Sequence, residues 1–169
     1  MEFISYYDCV LGTLTLIGND TTLKGLEFSK VLNKPVNDSL PIFVKTKAWL
    51  DDYFDGLVTE INELSFEVSG TNFQKLVWDE LLRIPYGELI TYGDIAKKIA
   101  KISGKEKMSA QAVGNAVGKN PLAIIIPCHR VIGANNNLTG FSGGMDKKIK
   151  LLTIEGHDLS DYKMPKEKK

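Results

Sequence analysis

The feature that most constrains this fold is a change of hydrophobic period at Ser69-Gly70-Thr71. Before it, apolar residues come in short runs broken by turns. Phe3-Ile4-Ser5-Tyr6-Tyr7 is rich in aromatic and branched side chains, Leu14-Thr15-Leu16-Ile17 stops at Gly18-Asn19-Asp20, and Leu23-Lys24-Gly25-Leu26-Glu27-Phe28 follows. Short strands with turns between them predict an antiparallel meander. Residues 30–41 hold two prolines and two asparagines without apolar period and read as a loop. Residues 43–54 have near-helical spacing up to Gly56, and residues 64–68 alternate like a last strand.

After the boundary the period becomes helical. Phe73, Leu76, Val77, Trp78, Leu81 and Leu82 share a broad face, and Pro85-Tyr86-Gly87 ends that helix. Thr91 fits an N-cap, with Asp94 three residues on, for a helix over 92–101. A polar loop, 103–107, leads to Ser109, which can cap a third helix over 110–118. That helix, Ala-Gln-Ala-Val-Gly-Asn-Ala-Val-Gly, carries Gly114 and Gly118. Each glycine costs about 1 kcal/mol relative to alanine. Two explanations fit equally well: tight helix–helix packing, or a helix-turn-helix whose second helix must approach another backbone closely. Residues 122–126 form a short apolar run consistent with a buried strand. It leads into Pro127-Cys128-His129-Arg130-Val131-Ile132-Gly133. A glycine-rich loop over 139–144 and a helix over 146–154, closed by Glu155-Gly156, complete the pattern. The expected fold is α+β. A sheet-plus-helix domain over 1–70 precedes a mostly helical domain over 71–169 that contains one short strand.

The formal net charge is zero, but it is unevenly spread: residues 1–70 carry 5 Lys+Arg against 11 Asp+Glu, and residues 71–169 carry 16 against 10. A basic half suits a polyanion and equally suits a solvated lysine-rich face. No apolar run is long enough to span a bilayer, and the start lacks a signal-peptide pattern, so a cytoplasmic location is expected. There are two cysteines, Cys9 and Cys128, and two histidines. Cys9 has no Cys or His near it, so no metal site is expected, and it reads as a small strand residue.

Cys128 is different. A thiol attacks well only as thiolate, and Cys128-His129-Arg130 offers a base and a cation within three residues. Neighbours on a strand point to opposite faces, so the pair requires a bend, which Pro127 can supply. The whole heptad resembles the signature of the O6-alkylguanine-DNA alkyltransferase family. The resemblance extends in order through Phe73-Gln74, Trp78, Ile84-Pro85-Tyr86-Gly87-Glu88, Thr91-Tyr92-Gly93, Ala112-Val113-Gly114, Gly118-Lys119-Asn120-Pro121, Ser142-Gly143-Gly144 and Glu155-Gly156.

The resemblance implies a ribonuclease-H-like N-terminal fold. It implies a suicide reaction on double-stranded DNA containing alkylated guanine, with O4-alkylthymine a second candidate lesion. The base is flipped out by a minor-groove helix-turn-helix and its alkyl group passes irreversibly to Cys128. His129 would take the thiol proton through water, Glu155 would orient His129, and Asn120 would brace the turn before the active-site strand. Tyr92 would donate to the guanine ring with Lys148 nearby, and Val131, Phe141 and Ser142 would line or recognise the base. Ser109, Ala110, Gln111, Ala112, Gly114, Gly118, Lys119 and Arg130 would meet DNA. No cofactor is implied, and a monomer is expected. Three positions depart from the family pattern: Gln111 stands where arginine is usual, Phe141 where tyrosine is common, and the 102–108 loop is longer, with Lys101, Lys105 and Lys107 on or beside it. Two other functions compete: a lesion-binding relative without repair, which would lack the reactive cysteine, and an unrelated Cys-His hydrolase, which would not need the two consecutive helices.

Overall fold

The computed structural model describes residues 1–164; the end of the 71–169 segment lies outside them. The described residues form two compact units, Met1–Ser69 with Pro121–Ile125, and Gly70–Asn120 with the described chain after Ile125.

In the first unit, β1 (Phe3–Cys9), β2 (Gly12–Gly18) and β3 (Leu23–Glu27) make the expected antiparallel meander, with Ile4 opposite Ile17 and Leu16 opposite Leu26. Ile4, Leu14, Leu16, Leu23 and Leu26 are buried, as are Phe43, Leu50 and Tyr53 of α1 (Pro41–Phe54). Pro41 opens α1 where its missing N–H costs nothing. Two expected strands are reduced to single bridges, because both compete for the free edge of β3. Phe66 pairs only at Leu23 and Leu122 only at Leu26. Residues 122–126 are all buried, as an apolar run should be. However, the chain turns at Ile124 (φ 70), and Ile125 N–H donates to Ala123 O, so no strand continues toward Cys128.

In the second unit, α2 (Asn72–Leu82) starts in a full capping box between Thr71 and Gln74. α3 (Tyr92–Ile102) and α4 (Ala110–Gly118) start at Thr91 and Ser109, whose hydroxyls accept from Asp94 N–H at 3.0 Å and Ala112 N–H at 3.1 Å. Val77, Trp78 and Leu81 of α2, Ile95 and Ile99 of α3, and Val113 and Val117 of α4 are buried. Trp78 also donates its indole N–H to Ala116 O at 2.9 Å, which fixes α2 to α4. A Cβ at Gly70 would lie 2.5 Å from the Trp78 ring, so the boundary residue must be small. The strand element is a two-residue parallel pair, β4 (Ile90–Thr91) with β5 (Val131–Ile132), and α5 (Met145–Ile154) closes the unit over Ile132 and Leu138 through Leu152.

Candidate active site

Cys128 lies on a 3-10 turn, Cys128–Arg130, immediately before β5. The bend expected at Pro127 is an inverse γ-turn: Pro127 has φ −81 and ψ 65, and Cys128 N–H donates to Ile126 O at 2.7 Å. A turn separates three consecutive side chains that a strand would alternate. Cys128 lines a cavity of about 340 Å³, together with Tyr92, Gly114, Val117, Gly118 and residues 139–142. That volume is within the range of small-ligand sites. His129 and Arg130 instead point into the interior, where both meet Glu155.

Glu155 caps the C-terminal end of α5. Its Oε2 is in a short hydrogen bond with His129 Nε2, and its Oε1 accepts from Arg130 Nε at 2.7 Å and from Gly87 N–H at 3.0 Å. The side chains of His129 and Glu155 are both fully buried. The guanidinium of Arg130 also donates to Ile84 O at 2.7 Å and sits over the Tyr86 ring. Burial pushes the Glu155 carboxyl up, but His129 and Arg130 outweigh it and hold the group well below the usual carboxylate range. Burial depresses the His129 imidazole, and the pull of Glu155 only partly opposes this. At neutral pH the pair is therefore a carboxylate facing a neutral imidazole, which can accept a proton. Both folded-state pKa values lie below their unfolded ones. Their stabilisation is present above about pH 6.5. It is lost as pH falls, first as unfolded His129 protonates and then as Glu155 does. The denaturant midpoint should fall from pH 7 to pH 5 in the native chain and at least as steeply in Glu155→Gln, which loses the partner that opposes the depression of His129; a smaller fall in the variant would contradict this.

Burial raises the Cys128 thiol, opposed by the Asn120 side chain, by the charge of Lys148 and by the backbone N–H groups of Cys128 and His129. The resting sulfur is thus a thiol with thiolate-stabilising groups already in place. Asn120 also donates from Nδ2 to Ile126 O at 2.8 Å and so ties the two ends of the 121–125 excursion together. Tyr92, raised by burial, keeps its proton at neutral pH, and Thr139 Oγ1 donates to its hydroxyl at 3.4 Å.

The positions of several expected residues need correction. Arg130 is not at a DNA-facing surface: it is buried, and its guanidinium is committed to Glu155 and Ile84. Lys148 and Val131 do not line the cavity. Lys148 is buried behind it, where its Nζ donates to Val131 O at 2.7 Å, Leu138 O at 2.6 Å and Gly140 O at 3.5 Å. Burial lowers this ammonium to about 8, so it carries its charge at neutral pH while fastening the 138–140 loop to β5. Ser109, Ala110, Gln111, Gly118 and Lys119 are exposed along α4, and Ala112 and Gly114 are half-buried. Sequence reading misses Val117, Thr139 and Gly140. Thr139 carries a trace of its role in sequence, a hydroxyl within a glycine-rich run, but its position beside Tyr92 depends on a left-handed backbone (φ 57).

The two explanations for the glycines of α4 can now be separated. A Cβ at Gly118 would meet nothing within 4 Å, and one at Gly114 would touch only the Tyr92 ring at 3.9 Å. Among the described residues, packing does not require either glycine; both line the cavity.

A cysteine at the wall of a cavity, followed in the chain by a buried imidazole–carboxylate pair and overlooked by the second of two consecutive helices, is an arrangement suited to a transferase that acts on nucleic acid and accepts the group on a cysteine. The sequence profile described as 6-O-methylguanine DNA methyltransferase, DNA binding domain, matches residues 72–157, and that of the family's ribonuclease-like domain matches residues 3–68. A methylated-DNA–protein-cysteine methyltransferase of Methanosarcina acetivorans is 42% identical over 91% of this chain and 98% of its own length. One from Haemophilus influenzae is 37% identical over 90% and 86%. The crystal structure of Mycobacterium tuberculosis OGT in complex with DNA superposes with a TM-score of 0.80 at 38% identity, covering 95% of each chain. The chain belongs to the 6-O-methylguanine DNA methyltransferase family.

Proposed function

We propose that this chain repairs DNA by taking the alkyl group of O6-alkylguanine onto Cys128, once per molecule. The observation that carries this reading is that Cys128 opens onto the same cavity as Tyr92 and the two packing-free glycines of α4. Helix α4 lies along the minor groove, and the missing side chains at Gly114 and Gly118 let a nucleotide backbone pass close to the cavity mouth. The damaged guanine leaves the stack and enters the cavity, since its alkyl carbon is out of reach within a duplex.

The thiol proton passes through water to His129, whose Nε2 side is held by Glu155. The sulfur then attacks the alkyl carbon in line. The S–C bond forms as the C–O bond breaks, and the electron pair goes to the guanine ring. Tyr92 donates a hydrogen bond to that ring as charge develops, and the ring recovers a proton as it leaves as guanine. Lys148 and Asn120 stabilise the thiolate before attack. The product is a thioether, for which the site offers no hydrolytic route, so the protein does not turn over. O4-alkylthymine carries the same reactive ether and would use the same path.

With a labelled O6-methylguanine duplex in excess, transfer should plateau at one methyl group per protein molecule. Continued turnover would instead indicate a hydrolase.

Two substitutions separate the roles within α4. Gly114→Ala should leave thermal stability unchanged or raised, by up to about 1 kcal/mol from helix propensity. It should weaken lesion-duplex binding by roughly tenfold, about 1.4 kcal/mol. A destabilised variant with intact binding would restore the helix-packing explanation. Gln111 is exposed on the same face and lacks the charge and planar fork of arginine. Gln111→Arg should tighten duplex binding and speed repair; equal affinity and rate in both proteins would contradict a role for this side chain in holding the gap left by the base.

A further inference from the structure

Apart from the Cys128 cavity, the second unit has a larger groove, of about 600 Å³, between α3 and the 103–109 loop. Lys97, Lys101, Lys105 and Lys107 line it against a single acid, Glu106, and Ala110, the first residue of α4, also lines it. All four lysines are exposed, and among the described residues none of them is in an ion pair. Four like charges around one concavity repel each other and gain from a polyanion that neutralises them together. Through Ala110 the groove borders the helix assigned above to the minor groove.

We propose that this groove is a second DNA-binding surface, holding the sugar-phosphate backbone of the duplex that flanks the lesion. The inference rests on the DNA-repair reading, and it assigns the 103–109 loop a use that the chemistry at Cys128 does not require. The lysines meet phosphate, so they add affinity and register without base specificity. Neutralising phosphates releases counterions, and the interaction is therefore visible in salt dependence.

The test compares the full chain with the triple variants Lys101→Ala/Lys105→Ala/Lys107→Ala and Lys101→Arg/Lys105→Arg/Lys107→Arg, all carrying Cys128→Ser so that binding can be measured without reaction. Affinity for a 24-base-pair duplex with a central O6-methylguanine is followed against sodium chloride concentration. In the alanine variant the slope of log affinity against log salt should become shallower by about 0.9 for each phosphate that is no longer neutralised. In the arginine variant the full slope should be retained. An unchanged slope in the alanine variant, or an equally shallow slope in the arginine variant, would overturn the proposal. Failure of the repair reading would be seen separately, as an absence of methyl transfer from the same duplex to the chain with Cys128 intact.

Discussion

Replacing Glu155 with glutamine is expected to destabilise the protein by about 3–5 kcal/mol, the cost of leaving one partner of a buried ion pair uncompensated. The stranded partner is Arg130, which is largely buried and has Ile84 O as its other acceptor. The same substitution should slow alkyl transfer by about 10²-fold or more in whatever fraction stays folded, through the proton chemistry of His129. A carboxylate at position 155 accepts from two directions, from His129 on Oε2 and from Arg130 and Gly87 on Oε1. It thereby places the imidazole proton on Nε2 and leaves Nδ1 as the basic nitrogen. A glutamine amide must turn its NH2 toward either His129 or Arg130. Toward His129 it selects the wrong tautomer; toward Arg130 it sets donor against donor. Chemical denaturation and single-turnover rates measure the two effects independently. A variant as stable and as fast as the native chain would show that this carboxylate is dispensable.

Tyr92→Phe should have a large effect of the opposite kind. The hydroxyl sits at the cavity wall and, among the described residues, has a single 3.4 Å contact, with Thr139, so its removal should change stability by no more than about 1 kcal/mol. Transfer from O6-methylguanine in duplex DNA should nevertheless slow by about 10²–10⁴-fold, the usual loss when a positioned proton donor is removed. Binding of the lesion duplex should be nearly unchanged, because the hydrogen bond strengthens only as charge builds on the departing guanine. A proportional loss of binding and rate would instead make Tyr92 a recognition residue.

The parts of this fold that can be read from sequence are those set by local rules. The meander over residues 3–27 follows from branched and aromatic runs between turns. The starts of α3 and α4 follow from Thr91 and Ser109, whose hydroxyls cap as their residue type predicts. Competition between distant segments is not legible in the same way. Residues 64–68 and 122–126 each have a strand's composition, yet both meet the single free edge of β3, and each keeps one bridge. Sequence predicts the burial of 122–126 but not the turn at Ile124.

The site divides along the same line. Cys128, His129 and Glu155 can be read from chemistry and motif. The fate of Arg130 cannot be, because a lone arginine beside a Cys-His pair gives no sign of whether it faces water or a buried carboxylate. The charge of Lys148 points to a place near the ligand. Its three carbonyl partners put it behind the wall, where it fixes the loop and raises the local potential. Thr139 depends on a backbone conformation that its residue type disfavours, and its hydroxyl in a glycine-rich run does not by itself place it beside Tyr92.

The most direct measurement is the intact mass of the protein, followed by peptide mapping, after incubation with a duplex containing O6-methylguanine. Cys9, the other thiol, is an internal control, since it lies on β1, outside the cavity. The prediction is a gain of one methyl group, confined to the peptide that holds Cys128 and absent from Cys128→Ala. An unchanged mass after the lesion has been bound, or a methyl group found on Cys9, would contradict it.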